Sequence, residues 1–218
     1  MCGRFALYSS VQAIMEYSKI LETTHKFRSS YNITPGQNIP AVIRSQNTDI
    51  LADFHWGLIP FWAPDTKIGS KMINARAETI NERPSFRNAF LKRRCLIPAN
   101  GFYEWRRQDK QPYYIRIENR NIFMFAGIWE QWRDKTGHNI DSCCIITTLP
   151  NAVMENIHNR MPVILPREYE QHWLNDQDAE NLRKLLQPYP GNMTACPVTR
   201  AVNSPANDGP ELIEAINI

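Results

Sequence analysis

The sequence contains no apolar run that approaches the roughly 20 residues needed by a membrane-spanning helix. Its N-terminus lacks a basic stretch followed by an apolar segment, so no secretory signal peptide is expected. Internal repeats and low-complexity stretches are also missing. These absences exclude membrane and repeat-protein classes. They predict a cytoplasmic protein, or a nuclear one if the source is a eukaryote.

The cysteines offer no sign of a disulfide framework or a zinc site, because their number is odd and no C-x-x-C spacing occurs. Cys143 and Cys144 lie in a strand-like run, and Cys95 and Cys196 also lie beside apolar residues. We expect these four to act as small hydrophobic side chains. Only Cys2 lies where a reactive role is natural. Neither a metal nor a cofactor is expected.

Basic residues concentrate in the middle of the chain. Residues 71–120 carry twelve Lys and Arg against five Asp and Glu, whereas the whole chain of 218 residues has a net charge of only +3. Such a segment indicates a surface that faces a polyanion. The alternative is an ordinary solvated face.

Short strand-like segments dominate the pattern, with helices scattered among them rather than alternating with strands. This arrangement predicts an α+β fold with a mainly antiparallel, barrel-like sheet flanked by short helices, in a single domain over 1–218. The predicted strands are 39–45, 49–56, 94–98, 101–106, 112–117, 122–130, 142–148, 161–165 and one near 193–200. The predicted helices follow Ser10 (with Leu21 on the apolar face) and span 84–93, 150–157, 166–174 and 177–187.

Cys2 would become the N-terminal residue if Met1 were removed. It would then carry a free α-amine, of reference pKa about 7.7–8.0, beside a thiol of about 8.5. The amine can condense with an aldehyde, and the thiol can close a five-membered ring on the imine. The alternative is that a cysteine at this position is incidental.

Three further polar residues interrupt apolar segments. Glu104 lies in an otherwise aromatic strand, where it is either solvent-facing or held in a pocket that raises its pKa. His158 lies between a short helix and a strand, where it either caps the helix or acts in catalysis. Asn74 could bond neighbouring backbone or hold a substrate oxygen. Trp62, in a proline-containing loop, is either a stacking surface for bases or a packing residue.

Several distinctive segments follow one another along the chain. They are Met-Cys-Gly-Arg-Phe at 1–5, Tyr-Asn-Ile-Thr-Pro-Gly-Gln at 31–37, Trp-Gly-Leu-Ile-Pro at 56–60, Ile-Asn-Ala-Arg-Ala-Glu-Thr at 73–79, Arg-Cys-Leu-Ile-Pro-Ala-Asn-Gly-Phe-Tyr-Glu-Trp at 94–105, Ile-His-Asn-Arg-Met-Pro at 157–162 and Pro-Val-Thr-Arg-Ala-Val-Asn at 197–203. Taken together and in this order, they resemble the SOS response-associated peptidase (SRAP) family nearly from end to end. One small departure is Thr34, where the family commonly has Ala.

The resemblance implies the SRAP fold and a sensor of abasic sites in single-stranded DNA that acts in the DNA-damage (SOS) response. After Met1 removal, Cys2 would form a thiazolidine cross-link with the ring-opened sugar, and the protein would carry a peptidase-like activity towards its own Met1. We expect a monomer by default, and a cytoplasmic protein that associates with the nucleoid during repair. The family positions are Cys2, Asn74, Glu104 and His158 for catalysis, Arg4, Arg76 and Arg160 for phosphates, and Trp62 and Trp105 for DNA packing.

In the mechanism that these positions suggest, His158 protonates the ring oxygen as the sugar opens, and the Cys2 amine attacks C1′ to give an imine. Glu104 relays protons, and the Cys2 thiolate closes the ring before β-elimination can cut the strand. Asn74 holds the backbone or the sugar hydroxyl.

Three other classes stay open. An N-terminal-nucleophile amidotransferase also begins with Met-Cys-Gly, but its other motifs are missing. A cysteine peptidase acting on other proteins would use Cys2 with His158. A non-catalytic single-strand binder would result if Met1 stayed in place.

Overall fold

The computed structural model describes residues 2–21, 23 and 28–217. Its core is a closed barrel of five strands, in which each strand pairs with the next in the order β10-β4-β3-β6-β9 and β9 pairs back with β10. Strand β10 runs parallel to its neighbours β4 and β5, and the other strand pairs in the described residues are antiparallel. The strands are β1 (Phe5–Leu7), β2 (Ser30–Ile33), β3 (Asn38–Ser45), β4 (Thr48–Trp56), β5 (Asn74–Arg76), β6 (Arg94–Ala99), β7 (Gly101–Trp105), β8 (Pro112–Ile117), β9 (Phe123–Arg133), β10 (Asn139–Thr148), β11 (Met161–Pro162), β12 (Ile164–Leu165) and β13 (Met193–Pro197).

A second sheet, in the order β13-β8-β7-β1-β2, packs on the barrel. Phe5 of β1 joins the two sheets, since its ring lies 5.2 Å from that of Trp56 and 5.8 Å from that of Phe125, both edge-on. One apolar core therefore runs through both layers. The α+β class and the mainly antiparallel barrel that the sequence predicts are confirmed.

The β3–β4 hairpin illustrates how local chemistry sets the strand register. Gln46 and Asn47 are its two central residues, and both have positive φ, of 45° and 70°. Asparagine tolerates this conformation, and a two-residue turn of this kind matches the twist of the flanking strands.

In the part of the chain that the structure describes, short α-helices flank the sheets: α1 (Val11–Ser18), α2 (Arg87–Lys92), α3 (Ala152–Glu155), α4 (Arg167–Asn175) and α5 (Ala179–Lys184). The Ser10 side chain caps α1, as predicted, by accepting a hydrogen bond from the Ala13 N–H. Lys19, with a φ of 56°, ends the helix earlier than the periodicity indicates. Leu21 therefore lies outside α1 and is 90% exposed, instead of contributing to its apolar face.

Arg94 is a buried cation that joins α2 to α4 through backbone carbonyls. Its guanidinium donates to the carbonyls of Phe90 and Leu91 at the end of α2, and to those of Trp173, Leu174 and Asp176 at the end of α4. These are the carbonyls that a helix leaves without intrahelical partners.

No helix in the described part of the chain is long and apolar enough to cross a bilayer.

Candidate active site around Cys2

Cys2 is placed by the pairing of β1 with β7. Phe5 lies opposite Phe102, and the Tyr103 N–H donates to the Arg4 carbonyl at 2.9 Å. Continuing this antiparallel register towards the N-terminus brings the backbone around Cys2 alongside Glu104. The side chain of Cys2 is fully buried, and this burial raises the pKa of its thiol, with the Glu104 carboxylate adding to the effect. The thiol is therefore protonated at neutral pH.

Asn74 holds the backbone of Cys2. It begins β5, which runs parallel to β10 with Asn74 opposite Ile145, and its Nδ2 donates to the Cys2 carbonyl oxygen at 2.8 Å. The sequence left two roles open for Asn74, bonding to neighbouring backbone or holding a substrate oxygen. In this structure its amide binds the backbone of Cys2.

Glu104 lies in a pocket and not on the solvent face, since it is only 3% exposed. Burial raises the pKa of its carboxyl above the ordinary value, because a charged carboxylate is poorly solvated there. A carboxyl with a raised pKa can donate or accept a proton nearer to neutral pH.

His158 follows α3 and precedes β11. Its own N–H donates to the Met154 carbonyl at 2.8 Å, and the Arg107 N–H donates to the carbonyl of Ile157 at 3.0 Å. The second contact ties the His158 segment to the chain that leaves β7 beyond Glu104. Burial lowers the pKa of His158, and the positive charges of Arg107 and Lys110 contribute, so its imidazole is neutral at pH 7.

Strand β10 brings these segments together. It pairs with β5 at Ile145 and with β11 at Thr147 and Thr148. The strand of Asn74 and the segment after His158 therefore lie at the same end of β10. The structure thus gathers Cys2, Asn74 and Glu104 and places His158 on a segment tied to the same elements. The catalytic roles of the four remain predictions.

Arg4 and Trp105 lie on the second sheet next to the C-terminal segment. The Arg4 Nη1 donates to Asn32 Oδ1 and to the Val202 carbonyl, both at 2.6 Å, and its guanidinium lies 5.8 Å from the Trp105 ring centre. The Trp105 Nε1 donates to Asn203 Oδ1 at 2.8 Å.

Asn32 is a buried residue whose importance the sequence did not reveal. It belongs to β2, and its Nδ2 donates to the carbonyls of Val202, Ser204 and Asn207. Together with its contact to Arg4, it fastens the C-terminal segment across the strand that leads to Cys2. An asparagine inside a run of strand-forming residues is the signal that could have identified it.

Two of the residues predicted to bind DNA are exposed. Arg76 is exposed at the end of β5, two residues after Asn74, and Trp62 is 48% exposed on the loop that follows β4. Phe61, which the sequence analysis missed, is 58% exposed beside Trp62. The loop is fixed by a bond from the Ile59 N–H to Ser142 Oγ and one from Trp132 Nε1 to the Ala63 carbonyl, each 2.8 Å.

Arg160 is different, because it is only 9% exposed. Its Nη1 and Nη2 donate to the two carboxylate oxygens of Glu78, at 2.6 and 3.0 Å, and Nη2 also donates to the Thr147 carbonyl at 2.6 Å. Its predicted contact with phosphate remains a prediction.

Within the described residues, no group of three or more His, Cys, Asp or Glu side chains is arranged to hold a metal ion.

The fold and the site define an α+β barrel protein whose second residue is held by an asparagine amide beside a buried glutamate. The family model "SOS response associated peptidase (SRAP)" matches residues 1–205. The chain belongs to this family.

Relatives of known name cover almost the whole chain. The "Abasic site processing protein YoqW" of Bacillus subtilis (strain 168) is 48% identical over 223 residues, covering 99% of this chain and 100% of that protein. The "Abasic site processing protein HMCES" of Xenopus tropicalis is 32% identical over 226 residues, covering 88% of this chain and 67% of its own length. A crystal structure of a Bacteroides thetaiotaomicron protein superimposes with a TM-score of 0.89 at 29% identity, covering 99% of this chain and all of the other.

Proposed function

We propose that this protein processes abasic sites in single-stranded DNA, and that after Met1 removal Cys2 links covalently to the open-chain sugar. The observation that carries the proposal is the setting of Cys2: Asn74 binds its carbonyl at 2.8 Å, and the buried Glu104 lies close enough to perturb its thiol. The names of the relatives supply the substrate class.

The protonation states favour an order of events in which the amine acts first. The buried thiol is protonated at neutral pH and is a weak nucleophile, whereas an α-amine has a reference pKa of about 7.7–8.0. The amine adds to the aldehyde carbon C1′, and loss of one water gives the imine. The thiol sulfur then adds to C1′ while its proton passes to the imine nitrogen, which completes the thiazolidine.

Glu104 and His158 have complementary roles in this scheme. The Glu104 carboxyl, with its raised pKa, delivers the proton that opens the sugar ring or lets the hydroxyl leave as water. The neutral His158 donates a hydrogen bond or a proton to the same sugar. Asn74 fixes the backbone of Cys2, so that its amine and its thiol can both reach the same carbon atom, C1′.

We also propose that the protein acts as a monomer, that exposed basic and aromatic side chains such as Arg76 and Trp62 hold the strand, and that the protein removes its own Met1 with the same groups. Glu104→Gln tests self-processing, because a variant that still loses Met1 in an extract-free incubation would contradict it. Intact mass reports the loss of Met1 directly.

The central experiment is intact-mass analysis after incubation with an abasic single-stranded oligonucleotide. A denaturation-stable adduct with the mass of protein plus DNA minus one water is expected for the processed protein. Cys2→Ala should form none, whereas Cys196→Ala, which removes a half-buried thiol elsewhere, should react normally. An undiminished adduct with Cys2→Ala would disprove the assignment, and glutamine hydrolysis without any adduct would instead support an amidotransferase.

A further inference from the structure

The side chain of Arg160 is held in place by hydrogen bonds of its guanidinium. Its guanidinium forms two hydrogen bonds with the Glu78 carboxylate and one with the Thr147 carbonyl, and Thr147 Oγ1 lies 3.2 Å from Nη2. A fork of two parallel bonds fixes both the position and the plane of a guanidinium. Because Arg160 is also buried, this geometry anchors the chain between His158 and β11.

The backbone of Arg160 faces the ring of His158. The Arg160 N–H donates to His158 Nδ1 at 3.1 Å, and the Arg160 carbonyl oxygen lies 3.3 Å from the same nitrogen. A neutral ring whose Nδ1 accepts the N–H carries its proton on Nε2. In a charged ring Nδ1 also bears a proton, and it can donate a hydrogen bond to the Arg160 carbonyl oxygen instead. One residue therefore offers Nδ1 a partner in both protonation states.

We infer that Glu78 is a positioning residue for His158: by holding the Arg160 side chain, it keeps the Arg160 backbone against Nδ1 and directs Nε2–H towards the abasic sugar. The inference rests on the proposed function for its effect on cross-linking, but the state of the ring can be observed without DNA. In this role Arg160 supports His158 and needs no contact with phosphate.

Glu78 is the more exposed partner of this ion pair. Its side chain is 45% exposed while that of Arg160 is 11% exposed, so the carboxylate lies at the rim and covers the buried guanidinium. An approaching phosphate would have to displace the carboxylate or accept its negative charge nearby. The two explanations of Arg160 therefore predict opposite effects when the charge of Glu78 is removed.

The test is Glu78→Gln, with Glu82→Gln as the matched control, since Glu82 is exposed on the following turn. Three quantities are measured: the first-order cross-linking rate at saturating abasic DNA, the Kd for an oligonucleotide with an unreactive tetrahydrofuran site, and the ring ¹⁵N shifts of His158 in DNA-free protein. We expect the rate to fall about 3- to 10-fold, as for a lost supporting hydrogen bond, while the Kd stays within about 2-fold. The share of the Nε2–H tautomer should fall as well. Glu82→Gln should change none of the three.

An unchanged rate with an unchanged tautomer would overturn the inference. Tighter DNA binding by Glu78→Gln at an unchanged rate would also overturn it, in favour of a phosphate contact by Arg160. If Glu78→Gln does not fold, Glu78→Asp keeps the charge and shortens the reach, and the ¹⁵N shifts of that variant decide. Absence of any adduct with wild-type protein would refute the proposed function, whereas the DNA-free tautomer would still test the positioning role.

Discussion

Replacing Glu104 with glutamine should stabilise the protein at alkaline pH while it slows the reaction. Burial raises the pKa of the Glu104 carboxyl, so the folded state holds this proton to a higher pH than the unfolded chain does. The stability associated with the protonated form is complete below the ordinary carboxyl pKa and is lost as the pH rises through the raised value. Glutamine has nearly the same shape and never ionises, so the variant does not lose it.

The size of the effect follows from the burial of Glu104. Keeping an ionised carboxylate in a site that is only 3% exposed costs several kcal/mol before compensating contacts are counted. We take a net gain of about 0.5–2 kcal/mol, the range that single stabilising substitutions commonly give. For a chain of this length each kcal/mol shifts Tm by about 2–4 °C, so we expect a gain of about 1–8 °C at pH 8.

Thermal unfolding of both proteins between pH 4 and pH 9 measures this difference. The gain in Tm should vanish towards pH 4, where the wild-type carboxyl is also protonated. Glu214→Gln, on an exposed residue, should stay within about 0.5 kcal/mol of wild type at every pH. The same Glu104→Gln protein should cross-link abasic DNA about 10²- to 10⁴-fold more slowly, the usual contribution of one acid–base group.

Two results would refute this reasoning. A Tm difference that is the same at pH 4 and pH 8 would mean that ionisation of Glu104 carries no cost in the fold. A variant that is more stable at pH 8 but reacts at the wild-type rate would leave Glu104 buried and perturbed without a part in the chemistry.

Four further outcomes are expected. The ring of His158 should titrate below its ordinary value of 6.5 in an NMR pH series, and a midpoint at or above 6.5 would contradict the burial argument. Asn74→Ala should slow cross-linking by about 2- to 12-fold, the value of one hydrogen bond of about 0.5–1.5 kcal/mol; a much larger loss would indicate direct contact with the sugar. Trp62→Ala should weaken binding of single-stranded DNA by about 1–3 kcal/mol at constant salt, and unchanged affinity would argue against stacking. Arg94→Met should lower the free energy of unfolding by about 3 kcal/mol or more in denaturant titrations, because five carbonyls lose their donor; a smaller loss would mean that water replaces it.

The long strands of the barrel could be predicted because their sequences carry the signal themselves. Residues 38–45 and 48–56 alternate or run apolar around a polar two-residue turn, and the turn chemistry sets their register. The α+β class follows from the spacing of such segments. The end of α1 could not be predicted in this way, because the left-handed backbone of Lys19 does not alter the spacing of apolar residues.

The strands that build the site were not predictable in the same way. β1, β2 and β5 have three or four residues each, too few to show a period. They are strands because β1 pairs with β7, β2 pairs with β1 and β5 pairs with β10. The residue types at the site were readable from the motifs, and Glu104 stood out as a carboxylate among aromatics. The locking of Arg160 by Glu78 was not, since a pair separated by 82 positions leaves no local pattern.

The attachment of the C-terminal segment to β1 and β2 has a consequence for the life of the chain on the ribosome. Arg4 and Asn32 take their partners from residues 202–207, which are synthesised between 172 and 198 residues later. At about 5–20 residues per second, this delay is roughly 10–40 s. During that interval the first residues lack contacts that hold them in the finished fold. The surroundings of Cys2, and with them the proposed self-removal of Met1, are therefore complete only after residues 202–207 have been synthesised and have joined β1 and β2.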